Sequence, residues 1–108
     1  MLIVTTNDLP GYRVVRQLGL VRGLAVRSRS VIGNVRAEFQ IFFRGGDIKV
    51  YRQLAERTRQ DALDTMIAEA NRLGANAVIA MRYDANEIAS AVTEVLAYGT
   101  AVVVEELR

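Results

Sequence analysis

The chain has no cysteine, no histidine, no tryptophan and a single proline among 108 residues. Without cysteine there is neither a disulfide framework nor thiol chemistry. Without histidine the commonest general base and the commonest transition-metal ligand are both missing. The only sulfur is in Met1, Met66 and Met81. Met66 and Met81 fall in apolar periodic segments, where filling a core accounts for them. No run approaches the roughly 20 apolar residues of a spanning helix, and no basic segment precedes a long apolar run as in a signal peptide. These features predict a cytoplasmic protein with no membrane partner. Aromatics are scarce too: Tyr12, Phe39, Phe42, Phe43, Tyr51, Tyr83 and Tyr98. They are not interleaved with basic residues along a strand, as a base-stacking platform requires, so no nucleic-acid partner is expected.

The remaining polar residues form no catalytic constellation. Ser28, Ser30 and Ser90 have no histidine to activate them, and Lys49 is the only lysine, in the first turn of an exposed-looking helix. There is no GxSxG, no Walker A loop and no dinucleotide fingerprint. Asp84 with Glu87, or Glu105 with Glu106, would hold a hard cation weakly, but neither spacing resembles a calcium loop. A solvated loop and a charged C-terminus account for them better. The sequence therefore gives no catalytic residues, no metal ligands and no cofactor, and predicts a non-enzymatic protein.

What the chain does have is small apolar residues. Hydrophobic residues make up 51%, and with few aromatics the core must be built from Val, Ile, Leu and Ala. Residues 1–108 read as a single domain. A domain this small leaves much of its surface in water. At roughly 25 cal/mol per Å² of apolar surface, burial against further copies is a strong gain, so a homo-oligomer is expected. Charge is uneven. Residues 1–54 carry nine basic and three acidic side chains, residues 55–108 five and nine, and thirteen of the fourteen basic residues are Arg. This pattern fits an anion-facing half, or two halves that complement each other between subunits.

Along the chain, Ile3–Thr6 is a short β-rich start and Asn7–Gly11 a turn. Tyr12–Ala25 reads as a strand with Tyr12, Val14, Arg16 and Leu18 on one face. Gly19 and Gly23 inside it predict a bulge or a close approach by another backbone. Ser30 is placed to cap a helix through Phe43, which Arg44-Gly45-Gly46-Asp47 breaks. A long helix follows from Ile48 to Leu73, with Ile48, Tyr51, Ala55, Thr58, Ala62, Met66, Ala70 and Leu73 on one stripe. Its Ala content predicts that it lies close to a sheet. Arg57 and Asp61 are spaced for an i,i+4 pair. Gly74 is placed to end the helix in the left-handed conformation that only glycine adopts freely. Ala77–Tyr83 is a strand, Asp84–Ala89 a loop or hairpin connection, and Ser90–Glu105 two strands or one bent at Gly99.

In order, Thr5-Thr6, Gly11-Tyr12, Leu18-Gly19-Leu20-Val21-Arg22-Gly23, Gly45-Gly46 followed by Tyr51, Leu73-Gly74-Ala75-Asn76-Ala77-Val78-Ile79 and Gly99-Thr100-Ala101-Val102 span essentially the whole chain. This set resembles the YbjQ-like family, whose members often carry a heavy-metal-binding label. The resemblance implies an α+β fold with a β-α-β-β core like the dodecin subunit, and a ring-shaped homopentamer. Together with the residues it predicts a small antiparallel sheet packed on one long helix. The segment Val26–Arg44 departs from the more acidic helix expected after Arg22-Gly23.

One anion site is suggested. Gly45 and Gly46 precede the N-terminus of the long helix, where free N–H groups favour negative charge. Arg44 is adjacent, and Asp47 competes for the same groups as a cap. The leading expectation is thus a self-assembling protein that binds a small anionic ligand near Arg44, Gly45, Gly46 and Asp47 or between subunits. Metal handling is the alternative, and an enzyme with a composite inter-subunit site the third class.

Overall fold

The computed structural model of the protein describes residues 1–28, 48–90 and 92–108. Its elements are β1 (Leu2–Ile3), β2 (Tyr12–Ser28), α1 (Ile48–Arg72), β3 (Ala77–Ala89) and β4 (Val92–Glu106). One sheet contains all four strands, in the order β1-β3-β4-β2. β4 pairs antiparallel with both β2 and β3, and β1 runs parallel to β3. The fold is α+β with the expected β-α-β-β sequence in β2, α1, β3 and β4. The sheet is mixed rather than purely antiparallel, because β1 adds a parallel pair at the edge. The helix expected over Ser30–Phe43 lies outside the described residues, as does the Arg44–Asp47 turn.

α1 lies chiefly over β2 and β4. Thr58, Ala62, Met66 and Ala70 of the expected stripe are buried. They pack with Val21 and Ala25 of β2 and with Val78, Met81, Val95, Ala97 and Ala101 of the other strands. Thr58 satisfies its hydroxyl by donating to the Leu54 carbonyl, one turn back (2.9 Å). The helix meets the sheet most closely at Gly23. A Cβ placed there would sit 1.9 Å from the Ala62 carbonyl oxygen and 2.4 Å from the Met66 nitrogen. Small residues on both elements thus allow near-contact of two backbones, as the Ala-rich stripe predicted.

The helix ends as expected at Gly74, with φ of 86°. The Ala75 N–H donates to the Ala70 carbonyl and the Gly74 N–H to that of Asn71, both at 3.0 Å. These are the two bonds of a Schellman motif. Asn76 then joins the motif to the sheet. Its Nδ2 donates to the Val104 carbonyl (2.9 Å), and its Oδ1 accepts from the Val104 N–H (2.8 Å). One carboxamide therefore completes the end of the ladder.

Three expectations about the strands change. Asp84–Ala89 is strand, not loop: β3 continues through Ala89, with Ala85 opposite Val95 and Asn86 opposite Glu94. Both sides of this stretch are exposed, so no apolar alternation marks it in the sequence. β4 is one continuous strand, and the irregularity near Gly99 belongs to its neighbour. Ile79 pairs with Thr100 and Arg82 with Tyr98, leaving Ala80 and Met81 opposite Gly99 alone. Ala80 adopts a φ of 53° in this bulge. A Cβ on Gly99 would lie 2.6 Å from Val78 Cγ1 and 3.0 Å from the Ile79 oxygen. Finally, Tyr12, Val14, Arg16 and Leu18 do not share one face. Register shifts between Val14 and Arg16 and between Gln17 and Gly19 reset the alternation. As a result Tyr12 packs with Ala77, Val102 and Val104 on one side of the sheet, and Leu18 with the helix-side core on the other.

The molecule is long. Its extents are 57 × 23 × 18 Å and its radius of gyration is 17.3 Å, against about 13 Å for a compact chain of this length. The length comes from β2, β3 and β4, which run 17, 13 and 15 residues.

Candidate functional site

The predicted anion-site residues Arg44, Gly45, Gly46 and Asp47 all lie outside the described residues, so their geometry adds nothing here. α1 does begin at Ile48, directly after them. Lys49 is exposed in its first turn.

The sheet face opposite α1 offers the broadest surface. Reading across by register, Leu20 faces Thr100, Arg22 faces Tyr98, Leu24 faces Leu96 and Val26 faces Glu94. On the other flank of β4, Arg82 faces Tyr98, Asp84 faces Leu96 and Asn86 faces Glu94. At one end this face is closed by Leu9 and Tyr12 packing on Val102 and Val104. Beyond that it is open: Leu20 is 65% exposed, Leu24 50% and Val26 43%. The sheet has two unpaired margins among the described residues. β2 is an edge strand over its whole length, and β3 is free on its outer side beyond Met81, whose N–H donates to the Val4 carbonyl.

These margins differ in charge. β2 contains Arg13, Arg16, Arg22 and Arg27 and no acidic residue. Past Arg82, whose guanidinium is bonded to the Thr5 carbonyl, the free part of β3 contains Asp84 and Glu87. Arg13 already pairs with Glu105 at 2.9 Å, both side chains well exposed. Arg27 pairs with Asp61 on α1, so Asp61 reaches across to the sheet rather than along the helix to Arg57. Arg16 and Arg22 have no carboxylate partner among the described residues.

A second feature is an open depression of about 460 Å³ lined by Thr5, Thr6, Asn7, Asp8, Pro10 and Arg82. Its wall is the N-terminal segment laid along the β3 bulge. The Val4 N–H donates to the Val78 carbonyl, the Ala80 N–H to the Thr6 carbonyl (2.8 Å) and the Met81 N–H to the Val4 carbonyl. Arg82 Nη1 donates to the carbonyls of Thr5 (2.6 Å) and Met81 (2.9 Å). Sequence reading did not single out Arg82. The signal was absent because the bulge that aims it depends on long-range pairing with Gly99.

The donor chemistry does not fit a soft or borderline metal. Met66 and Met81 are buried in the core, and the chain has no Cys or His. Among the described residues no three His, Cys, Asp or Glu side chains come together to hold an ion. Asp84, Glu87, Glu105 and Glu106 lie on strands rather than in a chelating loop. On α1 the exposed side chains of Glu69 and Arg72 form an ion pair (2.7 Å). The hydrogen bond from Arg72 holds the Glu69 carboxyl below its ordinary value, and the same bond raises Arg72. No helix among the described residues is long and apolar enough to cross a membrane.

Residues 1–105 match a family model, YbjQ_1, described as "Putative heavy-metal-binding". The chain is 59% identical over 101 residues to UPF0145 proteins of Burkholderia mallei strain SAVP1 and Burkholderia pseudomallei strain K96243, with 94% of this chain and 90% of the relative covered in each case. Among solved structures it is similar to a protein of unknown function from Pediococcus pentosaceus, assigned to the DUF74 family. That similarity has a TM-score of 0.55 at 18% identity, covering 97% of this chain and 98% of the other. This last likeness concerns the fold.

Proposed function

We propose, from the premise that this chain belongs to the YbjQ_1 family described as "Putative heavy-metal-binding", that it is a non-enzymatic protein that assembles with copies of itself into a closed ring in the cytoplasm. The observation that carries this reading is the open sheet face flanked by two unlike margins. An unpaired edge beside exposed Leu20, Leu24 and Val26 is a surface that water-exposed monomers usually avoid. The basic β2 margin and the acidic end of β3 are different surfaces on opposite sides of the sheet. Joining one to the other is a heterologous contact, the type that closes into rings. Arg16 and Arg22 would then meet Asp84 and Glu87 of the next copy, which gives the uneven charge of the two halves a use. A pentamer is the ring size that the sequence resemblance implies. A small anion near Arg44, Gly45, Gly46 and Asp47 remains part of this reading, supported by their position just before the N-terminus of α1.

The test is Leu24→Glu, a change on the exposed face that leaves the helix-side core alone. Burying a half-exposed Leu contributes about 1 kcal/mol, and a carboxylate forced into the contact costs about 2 kcal/mol more. Together these weaken each contact by more than about 100-fold. Sedimentation should show L24E as a folded monomer where the parent chain is larger. An L24E protein with the parent's mass would refute the proposed contact.

The family description favours metal handling as a second reading. Titration with Zn²⁺, Cd²⁺ and Cu⁺ tests it. Stoichiometric tight binding would support it against the donor set described above, and absence of binding would remove it.

A further inference from the structure

We infer that the depression beside the β3 bulge is a binding site for a small carboxylic acid that also carries a hydrogen-bond donor, with Arg82 and Asp8 as its two recognition groups. Every residue of this site belongs to one chain, so binding there does not require assembly.

The bulge is held in place. Ala80 adopts the left-handed region without being glycine, at a cost of roughly 1–2 kcal/mol. Its N–H is tied to Thr6, the next N–H to Val4, and the bare backbone of Gly99 leaves room opposite. Such local strain is worth tracing to what it positions. Here the bulge sets the register of Arg82, the residue directly after it.

Arg82 is fixed but only partly used. Both of its hydrogen bonds leave from Nη1, to the carbonyls of Thr5 and Met81. A guanidinium has five donors. The Nε and Nη2 side, the two-pronged edge that matches a carboxylate, has no acceptor among the described residues. The same depression is lined by Asp8, whose carboxylate makes no ion pair with Arg82. A cation and an anion that share one concavity without neutralising each other suit a ligand with both kinds of group. Its carboxylate would take the Arg82 edge, and its ammonium or hydroxyl would donate to Asp8. Thr6 holds the turn between them by donating its hydroxyl to the Asp8 carbonyl (2.6 Å).

Amide NMR titration of the full chain with free glycine, acetate and inorganic phosphate tests this. Glycine should shift the Thr5–Asp8 and Arg82 signals at lower concentration than acetate, because only glycine has a donor for Asp8. Phosphate should be weaker than glycine, because its two negative charges meet Asp8. Arg82→Lys keeps the charge and loses the planar edge, and should weaken glycine binding roughly tenfold or more. Asp8→Asn lies on an exposed turn and should erase the preference for glycine over acetate. If Arg82→Lys disturbs the fold, the Ala80 and Val4 amides report it, and Asp8→Asn still decides the question. No shift with any of the three probes, equal binding by Arg82→Lys, or an unchanged preference in Asp8→Asn would each overturn the inference. Phosphate binding more tightly than glycine would overturn it as well, leaving a simple anion site.

Discussion

Replacing Gly23 with alanine should be among the most damaging single-methyl additions in this protein. The new Cβ would lie 1.9 Å from the Ala62 carbonyl oxygen and 2.4 Å from the Met66 nitrogen. Both are backbone atoms in the middle of α1, so no rotamer change relieves the contact. The helix must rise from β2 by about 1 Å before the contact becomes tolerable, and a gap of that size forfeits a quarter to a half of the dispersion energy across it. The atoms affected are those of Ala62, Met66 and Ala70 against Val21 and Ala25. Overpacking by one methylene typically costs 1–3 kcal/mol. We place Gly23→Ala near the top of that range, about 3 kcal/mol. Relief of glycine's backbone entropy returns only about 0.5–1 kcal/mol. The net loss of 2–2.5 kcal/mol should lower Tm by roughly 10–20 °C. Urea unfolding followed by circular dichroism measures it. Adding Ala62→Gly should not rescue the variant, because the obstructing atoms are not side-chain atoms. A Gly23→Ala protein within about 0.5 kcal/mol of the parent, or rescue by Ala62→Gly, would refute the close packing of α1 on β2.

Two further outcomes follow from the same geometry. Asn76→Ala removes both bonds to Val104 and leaves a donor and an acceptor beside a buried residue. It should cost about 1–3 kcal/mol, and faster hydrogen exchange at Val104 should localise the loss. The Glu69 carboxyl, held low by Arg72, should titrate by NMR below the ordinary glutamate range. Because its folded value is depressed, the contribution of this pair is present at neutral pH and is lost as pH falls through that folded value. Arg72→Gln should return the Glu69 titration toward the ordinary range. A Glu69 that titrates the same with and without Arg72 would contradict the pairing.

The long helix, its glycine stop and the strand after it were legible in the sequence, because they rest on local signals. Apolar spacing of three and four defines the α1 stripe, and a glycine needing positive φ follows it. The close approach at Gly23 was legible only in part: a glycine inside a strand marks either a bulge or a close backbone approach, and the sequence leaves both open at Gly19 and Gly23. Features set by long-range register were not legible. Asp84–Ala89 has polar residues on both faces and looks like a loop until β4 pairs with it. Gly99 marks a break or bend in its own strand by sequence, whereas the distortion is the bulge at Ala80 and Met81 one strand away, which the bare glycine backbone accommodates. Arg82 was missed for the same reason. Sequence spacing offers Asp61 a partner on its own helix, Arg57, while the structure gives it Arg27 from β2. Arg44, Gly45, Gly46 and Asp47, the residues named from sequence for anion binding, lie outside the described residues.

In the proposed assembly the basic margin of β2 and the acidic margin of β3 join successive copies of this chain. Native mass spectrometry of the intact protein across a dilution series tests it most directly. A discrete multi-copy species that dissociates as ionic strength rises is the predicted result. A single-copy mass that persists at high protein concentration and low salt would contradict it.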